Sequence, residues 1–384
     1  MKKRIVAGML FTTILCMAFG GCGNTADQKS TNSDGAVESV VPGAEASTEI
    51  AFGDTEADNG VVQLKVWSEE DNFDMLNQMI DSFKQKYAGE AKLEITLEQN
   101  ADSDTKDVLL GDIHNGADVF SFADDQLSAM VAAGALYPVP NADEVKNANL
   151  EEAVSAASIN DTLYAYPMTA DNGYFLYYDK NVLSDTDVQT MDGILAALDA
   201  AGKSFSMELN SGWYLYSFFG NTGLEFGIND DGVTNYCNWN STDGAIKGID
   251  VAQSILNITT NPAFISQPDG DFVTGVQNGT IGAGISGVWN AVSIKEAWGD
   301  DYGAVKLPTY TVAGQQIQMS SFTGYKMMGV NTYSKYPEWA AKLADWLTNE
   351  ENQTIRFEER NQGPSNTNAA ASDAVKQVPA IQAV

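Results

Sequence analysis

Histidine is almost missing from this chain of 384 residues: there is one, His114. Zinc sites and Ser-His or Cys-His catalysis usually need more, so most hydrolytic mechanisms lose support. Cysteine is nearly as scarce, with three. Cys16 and Cys22 lie at the extreme N-terminal end, which leaves Cys237 alone and excludes an internal disulfide framework. Stability must therefore come from core burial, for which a chain of this length is ample, and two domains are expected. Positive charge is the third shortage. Lys and Arg number 21 against 52 Asp and Glu, a formal charge of −31. A phosphate backbone needs a basic face, so nucleic acid is excluded as a partner. The acidity suits an exported protein kept soluble near an anionic surface. Long apolar runs are lacking too. The one from Ile5 to Phe19 is about 15 residues, short of the roughly 20 of a transmembrane helix.

That run follows Met1-Lys2-Lys3-Arg4 and precedes Gly20-Gly21-Cys22-Gly23. A basic start, a short apolar core and small residues make a secretory signal over residues 1–21. Two glycines before a cysteine resemble a bacterial lipobox, with Phe19 where leucine is usual. The resemblance implies lipidation of Cys22. Residues 22–60 are Ser, Thr, Gly, Ala and acid, with eight carboxylates and one lysine from Gly23 to Gly60. Such a segment cannot bury enough apolar surface to order itself, and reads as a disordered acidic tether. The expected place is the extracellular face of the cell membrane, held there by lipid.

From Val61 the pattern alternates. Val62, Leu64 and Val66 predict a strand ending at Trp67. Leu76, Met79, Ile80, Phe83 and Tyr87 predict an amphipathic helix. Leu93, Ile95 and Leu97 alternate again, a polar helix spans about 103–114, Ala117 to Phe120 enter a buried strand, and a helix ends at Gly134. This βαβαβα order predicts a mostly parallel sheet with helices on both faces, whose ligands sit beyond the carboxyl ends of the strands. Those ends carry Trp67 to Asn72 and Ser121 to Gln126. A second α/β pattern follows, with helices at 191–201, 245–256 and 338–347 and strands at 205–209, 280–285, 302–307 and 322–330. The acidic turn Asn229 to Gly232 lacks a full calcium loop and reads as a hairpin. No metal site and no cofactor are expected.

Tyr164 to Lys180 joins the two patterns. Pro167 favours extended geometry before it, and Asn172-Gly173 permits a tight turn. A strand therefore enters, breaks and leaves as the aromatic strand Tyr174 to Tyr178. Most of its rings read as core, and the break at 167–173 as a hinge with Asp171 facing the ligand.

The order of elements and their motifs resemble extracellular solute-binding proteins of ABC importers, in the maltose and maltodextrin-binding group. The resemblance is carried by Leu64-Lys65-Val66-Trp67, Ala117-Asp118-Val119-Phe120, Gly134-Ala135-Leu136, the crossing Leu163 to Lys180, and Gly212-Trp213-Tyr214. It continues in Ser286-Gly287-Val288-Trp289, Tyr302 to Pro308, and Phe322-Thr323-Gly324. It implies a two-lobed periplasmic-binding-protein-like α/β fold of type II, each lobe a mixed, mostly parallel sheet flanked by helices and joined by crossing hinge strands. By that likeness the first lobe is 61–169 plus 311–361, and the second 172–309 plus 362–384. Family members carry further C-terminal helices, which are expected to be missing here. The implied function is capture of an oligosaccharide, an α-glucan such as maltodextrin, and delivery by a monomeric receptor to a membrane permease, with no covalent chemistry.

A sugar site stacks rings on C–H faces and aims carboxylates at hydroxyls. By motif match Trp213 and Trp289 are the preferred stacking residues, with Trp67 and Tyr214 behind them and Phe122 in the place of a family aromatic. Asp71, Asp125 and Asp171 match positions where the family places hydroxyl acceptors. At Asn72 and Gln126 the family can carry bases, so hydroxyl contacts are expected to differ. Trp339 and Trp346 share a helical stripe and read as core. The alternatives are a receptor for another oligosaccharide, a surface adhesin, or a glycosidase using Asp124 and Asp125 or Glu69 and Glu70. The last needs two carboxyls about 5 Å apart across a bond.

Overall fold

A computed structural model describes residues 60–229 and 234–383. The leader, Cys22, nearly all of the tether and the tip of the 229–232 turn lie outside the described residues. The chain runs through β1 (Val61–Ser68), β2 (Lys92–Gln99), β3 (Val119–Ala123), a small hairpin of β4 (Ser158–Ile159) and β5 (Thr162–Leu163), and β6 (Tyr166–Thr169). Next come β7 (Tyr174–Asp179), β8 (Ser204–Met207), the antiparallel hairpin β9 (Phe226–Ile228) and β10 (Asn235–Cys237), β11 (Phe264–Ser266), β12 (Ile281–Gly287) and β13 (Tyr302–Val305). A second hairpin, β14 (Thr309–Val312) and β15 (Gln315–Gln318), precedes β16 (Lys326–Val330).

Two five-stranded sheets result, ordered β2-β1-β3-β16-β6 and β11-β8-β12-β7-β13. In the first, β1 runs parallel to β2 and β3, while β16 is antiparallel to β3 and β6. In the second, β8 runs parallel to β11 and β12, while β7 is antiparallel to β12 and β13. Parallel strands need helical crossovers, which cover both faces; the antiparallel strands are those through which the chain passes between the lobes.

The helix Phe73–Lys86 shows how the pattern becomes packing. Leu76, Met79, Ile80 and Phe83 fall on one stripe, and all four are buried in the first core. Each contributes about 1.5–3 kcal/mol by leaving water. Lys84 and Lys86 in its last turn complement the helix dipole. Trp339 and Trp346 pack against the same core, with Phe83 6.5 and 6.2 Å from their rings. In β7 the two-residue period divides the aromatic run. Tyr174, Leu176 and Tyr178 enter one core of the second lobe, Phe175 and Tyr177 the core on the other face.

The connections differ from expectation in three places. The β14–β15 hairpin, placed by analogy partly in the first lobe, buries Tyr310, Val312 and Met319 in the second core. Residues 365–366, placed by analogy in the second lobe, bond to Asn149 of the first. Farther on, Ala380 returns to the second lobe's core beside Tyr302. The strand expected from Phe322 begins only at Lys326, because 322–325 cross between lobes instead of pairing. Three crossings lie side by side. Asn172 N–H donates to Gly324 O at 3.0 Å, and Ala170 N–H to Gly363 O at 2.9 Å. Gly324 is required there: a Cβ would stand 2.9 Å from Asp124 Oδ1 and 3.2 Å from Asn172 O. Cys237 is exposed on β10.

Candidate functional site

A cavity of about 380 Å3 opens between the two sheets. Its first-lobe wall is built from strand ends. Lys326, the first residue of β16, is 8% exposed and places its ammonium 2.8 Å from Asp102 and 3.8 Å from Glu69. Burial alone would lower the lysine's pKa, but the two carboxylates outweigh it and hold the ammonium charged well above its usual range. For Asp102, burial pushes upward; Lys326 and the Ser121 hydroxyl, donating at 2.5 Å, bring the net value below the usual range. Glu69 is drawn down by Lys326, yet burial and the charge of Asp102 leave it raised. Asp125 lines the same wall, its carboxyl pushed up by burial. Gln126, where bases were the family alternative, is committed to the loop: it donates to Asp102 O at 2.7 Å and accepts from Lys106 N–H at 2.8 Å.

The second-lobe wall is aromatic. Trp213 opens the helix Gly212–Phe219 and stacks on Phe322 at 4.9 Å. Phe322 in turn stacks on Tyr216 at 4.1 Å, which leads at 6.5 Å to Trp239, itself stacked on Phe219 at 4.0 Å. This row of rings runs from the cavity to the hairpin that carries Cys237. Trp289 sits in a short turn after β12 and is fixed from two sides. Its Nε1–H donates to Asp269 Oδ2 at 2.5 Å, and its ring lies against Gly287, where a Cβ would be 2.0 Å from a ring carbon. Asp269 gathers further donors, Asn290 at 3.0 Å and the side chains of Ser286 and Tyr214; burial nevertheless pushes its carboxyl upward. Glu208 accepts the Asp269 N–H at 3.1 Å. The ammonium of Lys326 lies 5.6 Å over the Trp289 ring, so the two walls meet there.

Of the residues singled out from sequence, Trp213, Trp289, Tyr214 and Asp125 come together at this cavity. Four others do not. Phe122 is fully buried in the first core. Trp67 is 8% exposed and donates to Glu98 at 3.1 Å. Asp71 faces solvent and pairs with Arg360 at 3.2 Å. Asp171 is buried between the crossings, where its carboxylate accepts the N–H of Gly363. Its role is to staple the first crossing to the third, and burial pushes its pKa to about 6. Glu69, Asp102, Lys326, Glu208 and Asp269 were not picked as ligand-binding residues from sequence. The signal for Lys326 was a lone cation at the mouth of an otherwise apolar strand, which demands a buried partner. The acid pairs of the glycosidase alternative split: Asp125 and Glu69 line the cavity, whereas Glu70 is exposed and Asp124 lies outside the wall. No group of acids, histidines or cysteines suited to a metal ion occurs among the described residues, and no helix among them is long and apolar enough to cross a membrane.

Known proteins match this architecture. The chain is 26% identical over 332 residues to the galactooligosaccharide-binding protein of Bacillus subtilis (strain 168), covering 84% of this chain and 77% of that protein. It is 26% identical over 337 residues to a maltooligosaccharide ABC transporter solute-binding lipoprotein of Streptococcus pneumoniae (strain ATCC BAA-255 / R6), covering 82% and 76%. The fold matches maltodextrin-binding protein MalE1 from L. casei BL23, solved without ligand, with a TM-score of 0.69, 26% identity and 84% of each chain covered. A family model described as bacterial extracellular solute-binding protein matches residues 78–383. The chain belongs to that family.

Proposed function

We propose that this protein is a lipid-anchored receptor that captures an α-glucan of the maltodextrin type in its interlobe cavity and delivers it to an ABC permease. The observation that carries the reading is the opposition of walls: rings of Trp213 and Trp289 face Asp125, Glu69 and Lys326 across about 380 Å3. A glucose unit has apolar faces and a rim of hydroxyls, and this pairing suits both. Covering about 60 Å2 of indole contributes roughly 1.5 kcal/mol per ring. Carboxylates accept the hydroxyl protons, and Lys326 donates to a ring or hydroxyl oxygen. A ligand touching both walls favours the closed arrangement of the lobes, so binding and closure are one equilibrium. The walls bind and orient; no acid pair in them is assigned to bond cleavage. Cys22 supplies the anchor, residues 22–60 the tether, and the receptor acts as a monomer.

The relative from Bacillus subtilis named for galactooligosaccharides favours a second reading, a β-galactoside ligand in the same cavity. Calorimetry with maltotriose, maltotetraose, and galacto-, xylo- and fructo-oligosaccharides decides between them. Maltotetraose is expected to bind at least about tenfold tighter than any galacto-oligosaccharide. The reverse order transfers the reading to galactosides, and sugar product accumulating with time moves it to an enzyme. Labelling with radioactive palmitate is expected for the native chain and not for Cys22→Ala; equal label on both removes the anchor.

A further inference from the structure

Five polar side chains that line the cleft are buried: Asp102, Gln126, Asn172, Tyr214 and Lys326. Four have partners within the protein. Lys326 and the Ser121 hydroxyl hold Asp102, Gln126 is bonded at both ends of its amide, and the Tyr214 hydroxyl donates to Asp269. Asn172 is the exception. It is 6% exposed, and neither polar atom of its side chain has a hydrogen-bond partner among the described residues. Nor is this amide shut away. The carbonyl oxygen of Asn72 is unpaired and closed to solvent, whereas both polar atoms of Asn172 remain open to the cavity. A polar group buried this deeply nearly always has a partner, and leaving it unpaired is costly. The open side of the amide is therefore a place for a ligand.

The backbone holds the amide in position. Asn172 lies on the first crossing, where the two walls join. Its N–H donates to Gly324 O on the neighbouring crossing at 3.0 Å, the Gly173 N–H to Asp171 O at 2.8 Å, and the Tyr174 N–H to the Ser321 hydroxyl at 2.9 Å. Gly324 leaves the side chain its space, since a Cβ there would stand 3.4 Å from Asn172 Nδ2. A group set in place beforehand gives up little freedom on binding. Its chemistry also differs from that of its neighbours. The ionised carboxylates of Glu69, Asp125 and Glu208 only accept, and the Lys326 ammonium only donates. An amide offers a donor and an acceptor side by side, which match two adjacent hydroxyls. The rings of Trp213 and Trp289 grip a sugar face without reading the direction of its hydroxyls. A site built to hydrogen-bond a hydroxyl strongly rejects an analogue that lacks it, because its own polar group is then left unpaired. We propose that, with the cleft read as an oligosaccharide site, Asn172 is a specificity-determining contact whose amide donates to one hydroxyl of the sugar and accepts from the hydroxyl next to it.

Calorimetry compares the native chain, Asn172→Ala and Asn172→Asp, with maltotriose and with β-1,4-linked galactotriose as probes. For the trisaccharide that binds, Asn172→Ala is expected to lower affinity by about 10- to 30-fold. Asn172→Asp, which keeps the shape and loses the donor, should lower it by at least about fivefold. Neither variant gives up a hydrogen bond of the fold, so the melting temperature should move by less than about 4 °C. Monodeoxy analogues of the same trisaccharide report the contact directly. Loss of either of two adjacent hydroxyls should cost the native chain at least about fivefold and Asn172→Ala less than about twofold. Asn172→Asp carries this comparison should Asn172→Ala fail to fold. Equal affinity of native and variant chains overturns the proposal, as do deoxy losses of the same size in both. Those two results leave the oligosaccharide reading standing. Failure of both trisaccharides to bind the native chain brings down that reading and the proposal together.

Discussion

The two walls of the cleft solve the same task with different materials. The first-lobe wall is ionic: Lys326 is clamped between Asp102 and Glu69 at the ends of buried strands. The second-lobe wall is aromatic, and of its two acids, Glu208 and Asp269, the latter is spent on holding Trp289 in place. Buried charges are intolerant of change because each needs its partner, whereas half-buried rings at a cavity edge are held by only part of their surface. The contrast predicts that changes to the ionic wall disturb folding as well as any recognition there, while the aromatic wall can be altered with the fold intact.

The largest effect expected is on the ionic wall. Lys326→Met leaves Asp102 buried without its cation, which should cost about 3–5 kcal/mol of unfolding free energy, measured by urea denaturation. Combining it with Asp102→Asn should restore most of that loss. A cost below about 1 kcal/mol would mean that the ion pair is not what holds this wall.

Trp289→Ala probes the other wall. Oligosaccharide affinity should fall by about 10- to 100-fold in calorimetry, with the melting temperature moving by less than about 4 °C. Intact affinity with a large loss of melting temperature would erase the distinction between the walls.

Asp171 tests the hinge between them. Its folded pKa of about 6 lies above the ordinary 3.8. The native state therefore favours the neutral acid, and the stabilisation it gives is full below about pH 4. That contribution is lost as pH rises through about 6, a decline of roughly 2–3 kcal/mol. Asp171→Asn can still accept the Gly363 N–H, and its unfolding free energy should lack this decline between pH 4 and 7. Identical pH profiles for the two proteins would refute the buried staple.

The smallest effect is expected outside both walls. Asp71→Ala removes a solvent-exposed pair with Arg360, so stability should shift by at most about 1 kcal/mol. Affinity should stay the same by calorimetry; a tenfold loss would put Asp71 back into the site.

The order of strands and helices was legible because periodicity switches between two and 3.6 residues at nearly every element. The aromatic wall was legible too, since Gly212-Trp213-Tyr214 and Ser286 to Trp289 are contiguous. The ionic wall was not, for it is assembled from residues far apart: Lys326 reaches Asp102 across more than two hundred positions. Asp71 and Glu69 show a second limit. They lie two apart in a tight turn, and only the three-dimensional path decides that Glu69 faces the cleft and Asp71 the solvent. Phe122 shows a third. The first four residues of β3 are buried on both faces, so alternation there cannot separate a cleft-facing ring from a core one. Asp171 was read as facing the ligand, whereas it is buried at the crossing, because its partner Gly363 arrives from the far end of the chain.

Cys237 gives the molecule a practical use. It is the one cysteine among the described residues, exposed on β10. A maleimide dye has a single described point of attachment there, at the outer end of the ring row that begins beside the cavity. Such a conjugate is expected to serve as an optical gauge, its brightness following the state of the cleft through that row of rings.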